Sequence, residues 1–167
     1  MKSYNLEEIN KELEDKSPKE IIEYAINLLG VDKVTTASSL SIEDQMLTYL
    51  AVNINKDSRI FVLDTGRHFQ STYDVMDETW RKYGFKYEIY SPNTEALQEF
   101  VRNYGPNTFY IDVENRKKCC GIRKVEPLKR ALSNVDAWIV GLRREQAVTR
   151  TAVPIVEWDE GHGVLKF

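Results

Sequence analysis

The sequence predicts an α/β fold: one open, mostly parallel sheet with helices on both faces. Two observations carry that expectation. Short apolar runs alternate with amphipathic stretches of helix length, the pattern of βαβ units. Helix caps and glycine stops fall at the joints between them. With 167 residues and 42% hydrophobic content the chain can bury one core, so residues 1–167 read as a single domain. There is no internal repeat, low-complexity tract or interdomain linker.

In order, "SPKEIIEYAINLLG" is a helix: Ser17 can cap it, Pro18 suits the first turn, Glu20 completes a capping box and Gly30 closes the end. "KVTTAS" is a strand, and "IEDQMLTYLAVNI" a helix from about Glu43. "RIFVLDT" fits a buried strand, and "FQSTYDVMDETWRKYG" a helix ending at Gly84. "KYEIYS" is a strand before Pro92, followed by "TEALQEFVRNYG", a helix capped by Thr94 and stopped at Gly105. Arg116 to Leu132 is helical, with Pro127 kinking or dividing it. "DAWIVGL" is the last parallel strand, and "PIVEWDEGHGVLKF" a hairpin turning near Glu160 to Gly163.

Lysine plus arginine is 23 and aspartate plus glutamate is 26, a formal charge of −3. That excludes a global polycation built for nucleic acid, though not a local basic patch. "MKSYNLEEINKELEDK" is polar and acidic, unlike a signal peptide, and no segment approaches the ~20 apolar residues of a membrane span. The expectation is a soluble, cytoplasmic protein without nucleic-acid or membrane partners.

In open α/β sheets, ligands collect at the carboxyl ends of the strands. Three chemically unusual stretches fall there. "ASSLSIEDQ" puts Ser38, Ser39 and Ser41 between a strand and a helix N-terminus, where hydroxyls and N–H groups suit a phosphate or sulfate oxygen. Ordinary N-capping explains the same serines. "LDTGRHF" offers an acid, a hydroxyl and Gly66, which lets a flat ring or a backbone come close; a plain turn is the alternative. "GLRREQAVTR" offers Arg143, Arg144 and Arg150, whose guanidinium forks match phosphate and sulfate oxygens; a solvated charged face is the alternative. Gly141 ends the strand and aims these arginines at the rim of the sheet.

"RKKCCGIRKVEPLKR" is the most specific stretch. Cys119 and Cys120 are the only cysteines, amid Arg116, Lys117, Lys118, Arg123, Lys124, Lys129 and Arg130, against Glu126 alone. Neighbouring Cα atoms about 3.8 Å apart are too close for the usual disulfide, which spans ~4.4–6.8 Å. Positive charge favours a thiolate, the form that ligates metals and attacks electrophiles. A metal or cluster site, redox chemistry and two inert buried residues all stand as readings. Zinc wants about four Cys or His ligands, and the only histidines are His68 and His162, which argues against it.

These four stretches, in this order and spacing, resemble the assimilatory adenylyl-sulfate reductases, sister to the phosphoadenylyl-sulfate reductases; the likeness runs from about Val34 to Phe167. The tandem cysteines followed by "IRK" resemble the adenylyl-sulfate branch. The resemblance implies a fold akin to the ATP pyrophosphatases and other adenine-nucleotide α-hydrolase-like proteins, with "ASSLSIED" as a modified phosphate loop. It implies that Ser38 and Ser39 line the nucleotide site and that Leu63, Thr65 and Gly66 cradle the adenosine end. Arg143, Arg144 and Arg150 would face the phosphosulfate, and Lys124 would lie between substrate and cluster. Cys119 and Cys120 would be two of the four ligands of a 4Fe–4S cluster. The family reaction is attack by a cysteine thiolate on the sulfate sulfur, which releases AMP and leaves an S-sulfonate that thioredoxin reduces to free sulfite.

The chain departs from the family pattern at Ser41, where glycine is usual, and at Gln70 and Ser71, where Pro-Glu is usual. The family's other two cluster cysteines and its near-terminal nucleophile fall beyond "GVLKF", so the expectation is a C-terminally truncated piece with no catalytic nucleophile of its own. Its sheet would then show apolar surface and tend to associate, a homo-oligomer included. Two other readings compete: a nucleotide-binding module without redox activity, and a phosphoadenylyl-sulfate reductase, against which the cysteine pair argues.

Overall fold

The computed structural model describes residues 4–142 and 153–167. The chain forms the strands β1 (Val34–Ala37), β2 (Arg59–Leu63), β3 (Glu88–Tyr90), β4 (Ala137–Ile139), β5 (Glu157–Asp159) and β6 (Val164–Lys166). They make one sheet in the order β3-β2-β1-β4-β6-β5, parallel throughout except for the antiparallel β5–β6 pair. The expected parallel α/β sheet is therefore present. One detail differs: β4 is not the last parallel strand. The hairpin enters along the outer edge as β5, so its return strand β6 lies against β4 and shares its direction.

The helices are α1 (Leu6–Leu13), α2 (Pro18–Leu29), α3 (Ile42–Ile54), α4 (Gln70–Tyr83), α5 (Thr94–Tyr104), α6 (Val113–Cys120) and α7 (Glu126–Leu132). Side chains alternate across each strand, so each buried strand feeds two cores. On one face Val34, Ala137, Ile139 and Leu165 pack with Ile9 and Leu13 of α1, Ile22 and Ala25 of α2 and Leu47 of α3. On the other, Phe61 and Val164 pack with Ala131 and Leu132 of α7.

The capping box of α2 forms as expected, with Ser17 and Glu20 each bonding the other's backbone N–H. Helix α5 is capped by Asn93, whose Oδ1 accepts the Ala96 N–H at 3.0 Å; Thr94 is already its first helical residue. Asparagine directly after Pro92 takes the cap because its side chain reaches the third N–H of the helix. Helix α1 is not among the expected elements, because its acidic residues mask the apolar spacing of Leu6, Ile9 and Leu13. Its Asn10 amide also closes a long-range tie, donating to the Val156 carbonyl at 2.7 Å and accepting the Val156 N–H at 3.0 Å.

Pro127 divides its helix by a mechanism that can be seen. Residues Gly121–Val125 widen into a π-turn between α6 and α7. Proline has no N–H for the carbonyl four residues back, and its ring would crowd that carbonyl; a wider turn relieves both. Among the described residues, no helix is long and apolar enough to cross a membrane.

Candidate functional site

The three loops at the carboxyl ends of β1, β2 and β4 meet around one cavity of ≈ 380 Å³. Ser38, Ser39, Leu63, Thr65 and Lys124 line it, with Gly141 and Leu142 at the start of the arginine loop. Arg143, Arg144 and Arg150 lie outside the described residues. A roomier groove of ≈ 510 Å³ has mainly aliphatic walls, Ile22, Met46, Leu47 and Phe167 among them, and offers little chemistry.

The seryl loop leaves β1 through a Ser38 N–H bond to the Phe61 carbonyl at 2.9 Å. Ser38 Oγ then accepts the Leu40 N–H at 3.2 Å, which tightens the turn. Leu40 sits at φ +65°, a left-handed conformation costing a non-glycine residue of order 1–3 kcal/mol. The turn is held by Asp44: its Oδ2 accepts both the Ser39 N–H at 2.7 Å and the Ser39 hydroxyl at 2.5 Å. Both Ser39 donors are thus engaged within the protein. Ser41 caps α3 by position without a side-chain hydrogen bond.

The second loop is braced from three sides. Asp64 Oδ1 accepts the Gly66 N–H at 2.9 Å and the Tyr73 hydroxyl at 2.8 Å, and this bond pushes the Tyr73 phenol above its usual pKa. Gly66 takes φ +66°, where only glycine is free of strain, and so shapes the turn without lining the cavity. Arg123 Nη1 donates to the Thr65 carbonyl at 2.5 Å, tying the turn to the cysteine helix. His68 Nε2 lies 3.0 Å from the Leu63 carbonyl, which makes this histidine part of the cavity wall.

Cys119 is buried and Cys120 half-buried, both as free thiols at the end of α6. They open on a second cavity of ≈ 200 Å³, together with Arg67, Arg116, Arg123 and Lys124. Tertiary structure has sorted the basic run: Arg130 pairs with Glu126 at 2.7 Å, and Lys118 lies over the Tyr104 ring at 5.1 Å. Among the described residues, what remains around the thiols is positive, and no carboxylate lines this cavity. Arg123 is 9% exposed, and among the described residues its Nε has no hydrogen-bond partner, so a buried donor faces the cysteines without a described acceptor. Thr65 and Lys124 line both cavities, forming the wall between them.

A cationic cavity with two adjacent thiols suits an anionic group held by thiolates. Among the described residues no three His, Cys, Asp or Glu side chains gather around one point. His162 is engaged elsewhere, its Nδ1 2.9 Å from Asp159. With two cysteines, the chain could supply at most two thiolates to such a group.

Sequence reading did not single out Asp44, Arg67 or Trp138 as site residues. Asp44 left one local signal, an acid three residues after Ser41. Trp138 left none: it lines the strand-end cavity with a buried Nε1 that has no partner among the described residues.

Residues 33–167 match the family model described as "Phosphoadenosine phosphosulfate reductase domain". The adenosine 5′-phosphosulfate reductase of Burkholderia cepacia is 45% identical over 136 residues, covering 81% of this chain and 54% of that protein. The Allochromatium vinosum protein of the same name is 43% identical over 147 residues, covering 85% of this chain and 57% of that one. A chloroplastic 5′-adenylylsulfate reductase of Arabidopsis thaliana is 39% identical, covering 93% of this chain and 33% of its own length. The chain thus spans about half the length of its bacterial relatives. In fold alone, it matches a phosphoadenylyl-sulfate reductase from Candida auris with a TM-score of 0.82 at 24% identity, covering 99% of this chain and 79% of that one. A more distant likeness in fold is to an NH3-dependent NAD synthetase from Campylobacter jejuni, with a TM-score of 0.53 at 12% identity over 85% of this chain and 58% of that one. Matched over most of its length by the family model, with its strand-end loops and cysteine helix around two adjoining cavities, the chain belongs to the phosphoadenosine phosphosulfate reductase domain family.

Proposed function

We propose that residues 1–167 act as one nucleotide-binding unit of a thioredoxin-dependent, cytoplasmic adenylyl-sulfate reductase, which converts adenylyl sulfate to sulfite and AMP in sulfate assimilation. One observation carries the reading: Thr65 and Lys124 form the wall shared by the strand-end cavity and the cysteine cavity. A lysine there can meet the phosphosulfate of a nucleotide on one side and a thiolate-held anion on the other. Leu63 and Thr65, on the turn that Gly66 shapes, would hold the adenosine end, Ser38 and Ser39 would wall the nucleotide site, and Arg143, Arg144 and Arg150 would meet the phosphosulfate.

Cys119 and Cys120 would be two of the four ligands of a 4Fe–4S cluster, whose four-thiolate centre supplies net negative charge beside the substrate. Arg67, Arg116, Arg123 and Lys124 offset that charge, and the π-turn after Cys120 carries Arg123 and Lys124 toward the nucleotide. The nucleophilic cysteine of the family reaction is assigned to no residue here, because both thiols of this chain serve as ligands.

The test is titration calorimetry of the chain with AMP and with adenylyl sulfate, alongside 3′-phosphorylated AMP. Binding of AMP that adenylyl sulfate displaces is the expected result. No binding of any of the three overturns the reading, and a clear preference for the 3′-phosphorylated ligand moves it to the phosphoadenylyl-sulfate branch.

A further inference from the structure

Asp44 is an acid where an anion site would be expected to exclude one. It is 8% exposed, in the first turn of α3, and it lines the cavity with Ser38, Ser39 and Lys124. Its Oδ2 holds both hydrogen-bond donors of Ser39, at 2.7 and 2.5 Å. Its Oδ1 faces the third loop so closely that a Cβ built on Gly141 would lie 2.4 Å from it. The next atom that Cβ would meet, Leu47 Cδ1, is at an ordinary 3.5 Å. Gly141 has no left-handed φ, so the carboxylate and not backbone strain is what demands glycine there.

We infer that Asp44 is the positioning residue of the nucleotide site, a buried carboxylate that locks the seryl turn and couples it to the loop after β4. Three features fit together on this basis. Leu40 is held in a costly left-handed conformation, and the two short Ser39 bonds are local ties able to hold it there. Ser39 serves as the clasp of the loop, so recognition of the anion falls to Lys124 and the arginines. Gly141 lets the chain leave β4 directly beside the clasp, so a displacement at Gly141 is felt by the seryl turn.

The coupling can be measured without any ligand by a double-mutant cycle of melting temperature. Gly141→Ala alone should lower it by several degrees, because the new methyl forces Asp44 off Ser39. In the Asp44→Ala background the same Gly141→Ala change should cost almost nothing. Hydrogen exchange at the Ser39 and Leu40 amides should accelerate at least about tenfold in Asp44→Ala, the loss of roughly 1.4 kcal/mol of protection. Asp44→Asn should restore slow exchange, since its amide oxygen, placed where Oδ2 now lies, still accepts both the Ser39 N–H and the Ser39 hydroxyl. Additive melting effects, or equal Ser39 exchange in the wild type and Asp44→Ala, would overturn the inference.

The effect on ligand rests on the nucleotide function proposed above. AMP affinity should fall about tenfold or more in Asp44→Ala and Gly141→Ala, with Asp44→Asn recovering most of the loss. If wild type binds no AMP, the functional reading fails, while the cycle and the exchange rates still decide the role of Asp44.

Discussion

Replacing Arg123 by methionine should leave the protein as stable or make it more so, while weakening its hold on anions. Arg123 is 9% exposed, yet among the described residues its guanidinium has one bond, from Nη1 to the Thr65 carbonyl, and an unpartnered Nε. Among the described residues its cavity adds Arg67, Arg116 and Lys124 and no carboxylate. Losing the charge-assisted bond costs about 1.5–3 kcal/mol, including the Thr65 carbonyl left unpaired. Against this, an uncompensated buried ion carries a desolvation penalty of several kcal/mol, and methionine keeps much of the aliphatic stem. The difference favours the variant by about 1 kcal/mol, or a rise of about 2–4 °C in a domain of this size. Thermal unfolding by circular dichroism checks the stability, and calorimetric titration with AMP or sulfate checks the anion, whose affinity should fall about tenfold. A melting point lowered by the equivalent of about 3 kcal/mol or more would refute the reasoning, because it would mean the guanidinium is well paired and structural.

Lys124→Ala, at an exposed lysine, should weaken AMP binding by about 1 kcal/mol and leave the melting point unmoved, since solvent screens the contact; normal affinity with a shifted melting point would mark a structural lysine. Glu88→Gln should cost about 1 kcal/mol at neutral pH, because the Arg59 fork at 2.7 and 2.9 Å is only partly buried. The Arg59 hydrogen bond holds the Glu88 carboxyl below its usual 4.5, so its stabilisation is full above that value and disappears as pH falls through the lowered one. Wild type and variant should therefore converge in an acid unfolding series, and a constant gap would argue against the ion pair. Phe61→Ala, at a side chain 1% exposed between β2 and α7, should cost about 3–5 kcal/mol in denaturant unfolding. Reconstituted anaerobically with iron and sulfide, the chain should retain no stable 4Fe–4S visible spectrum as a monomer, because a cluster held by cysteines alone needs four thiolates and the chain has two; with thioredoxin and adenylyl sulfate it should release no sulfite.

Much of this architecture is legible in the chain because its signals act over a few residues. Ser17 with Glu20, Gly30, Gly84 and Pro127 decide their turns by short-range hydrogen bonds and ring or Cβ sterics, so the residues themselves announce the outcome. Apolar runs separated by helices likewise imply parallel strands, whose carboxyl ends gather the loops. The motifs could thus be assigned to one edge of the sheet from sequence. Their contacts could not. Which side chain meets which depends on strand order, register and helix crossing, and these are properties of the whole packed molecule. Arg123 reaches Thr65 across 58 positions, and Asn10 clasps Val156 across 146. Even the five-residue reach from Asp44 to Ser39 depends on a turn through Leu40 that its residue type disfavours. The dense positive run shows the same division. Sequence placed seven cations around two thiols; helix spacing pairs Arg130 with Glu126, and only packing laid Lys118 over Tyr104, buried Arg123 against Thr65 and stood Lys124 between the cavities. Composition is written along the chain, but the balance of burial against charge exists only once the chain has closed around it.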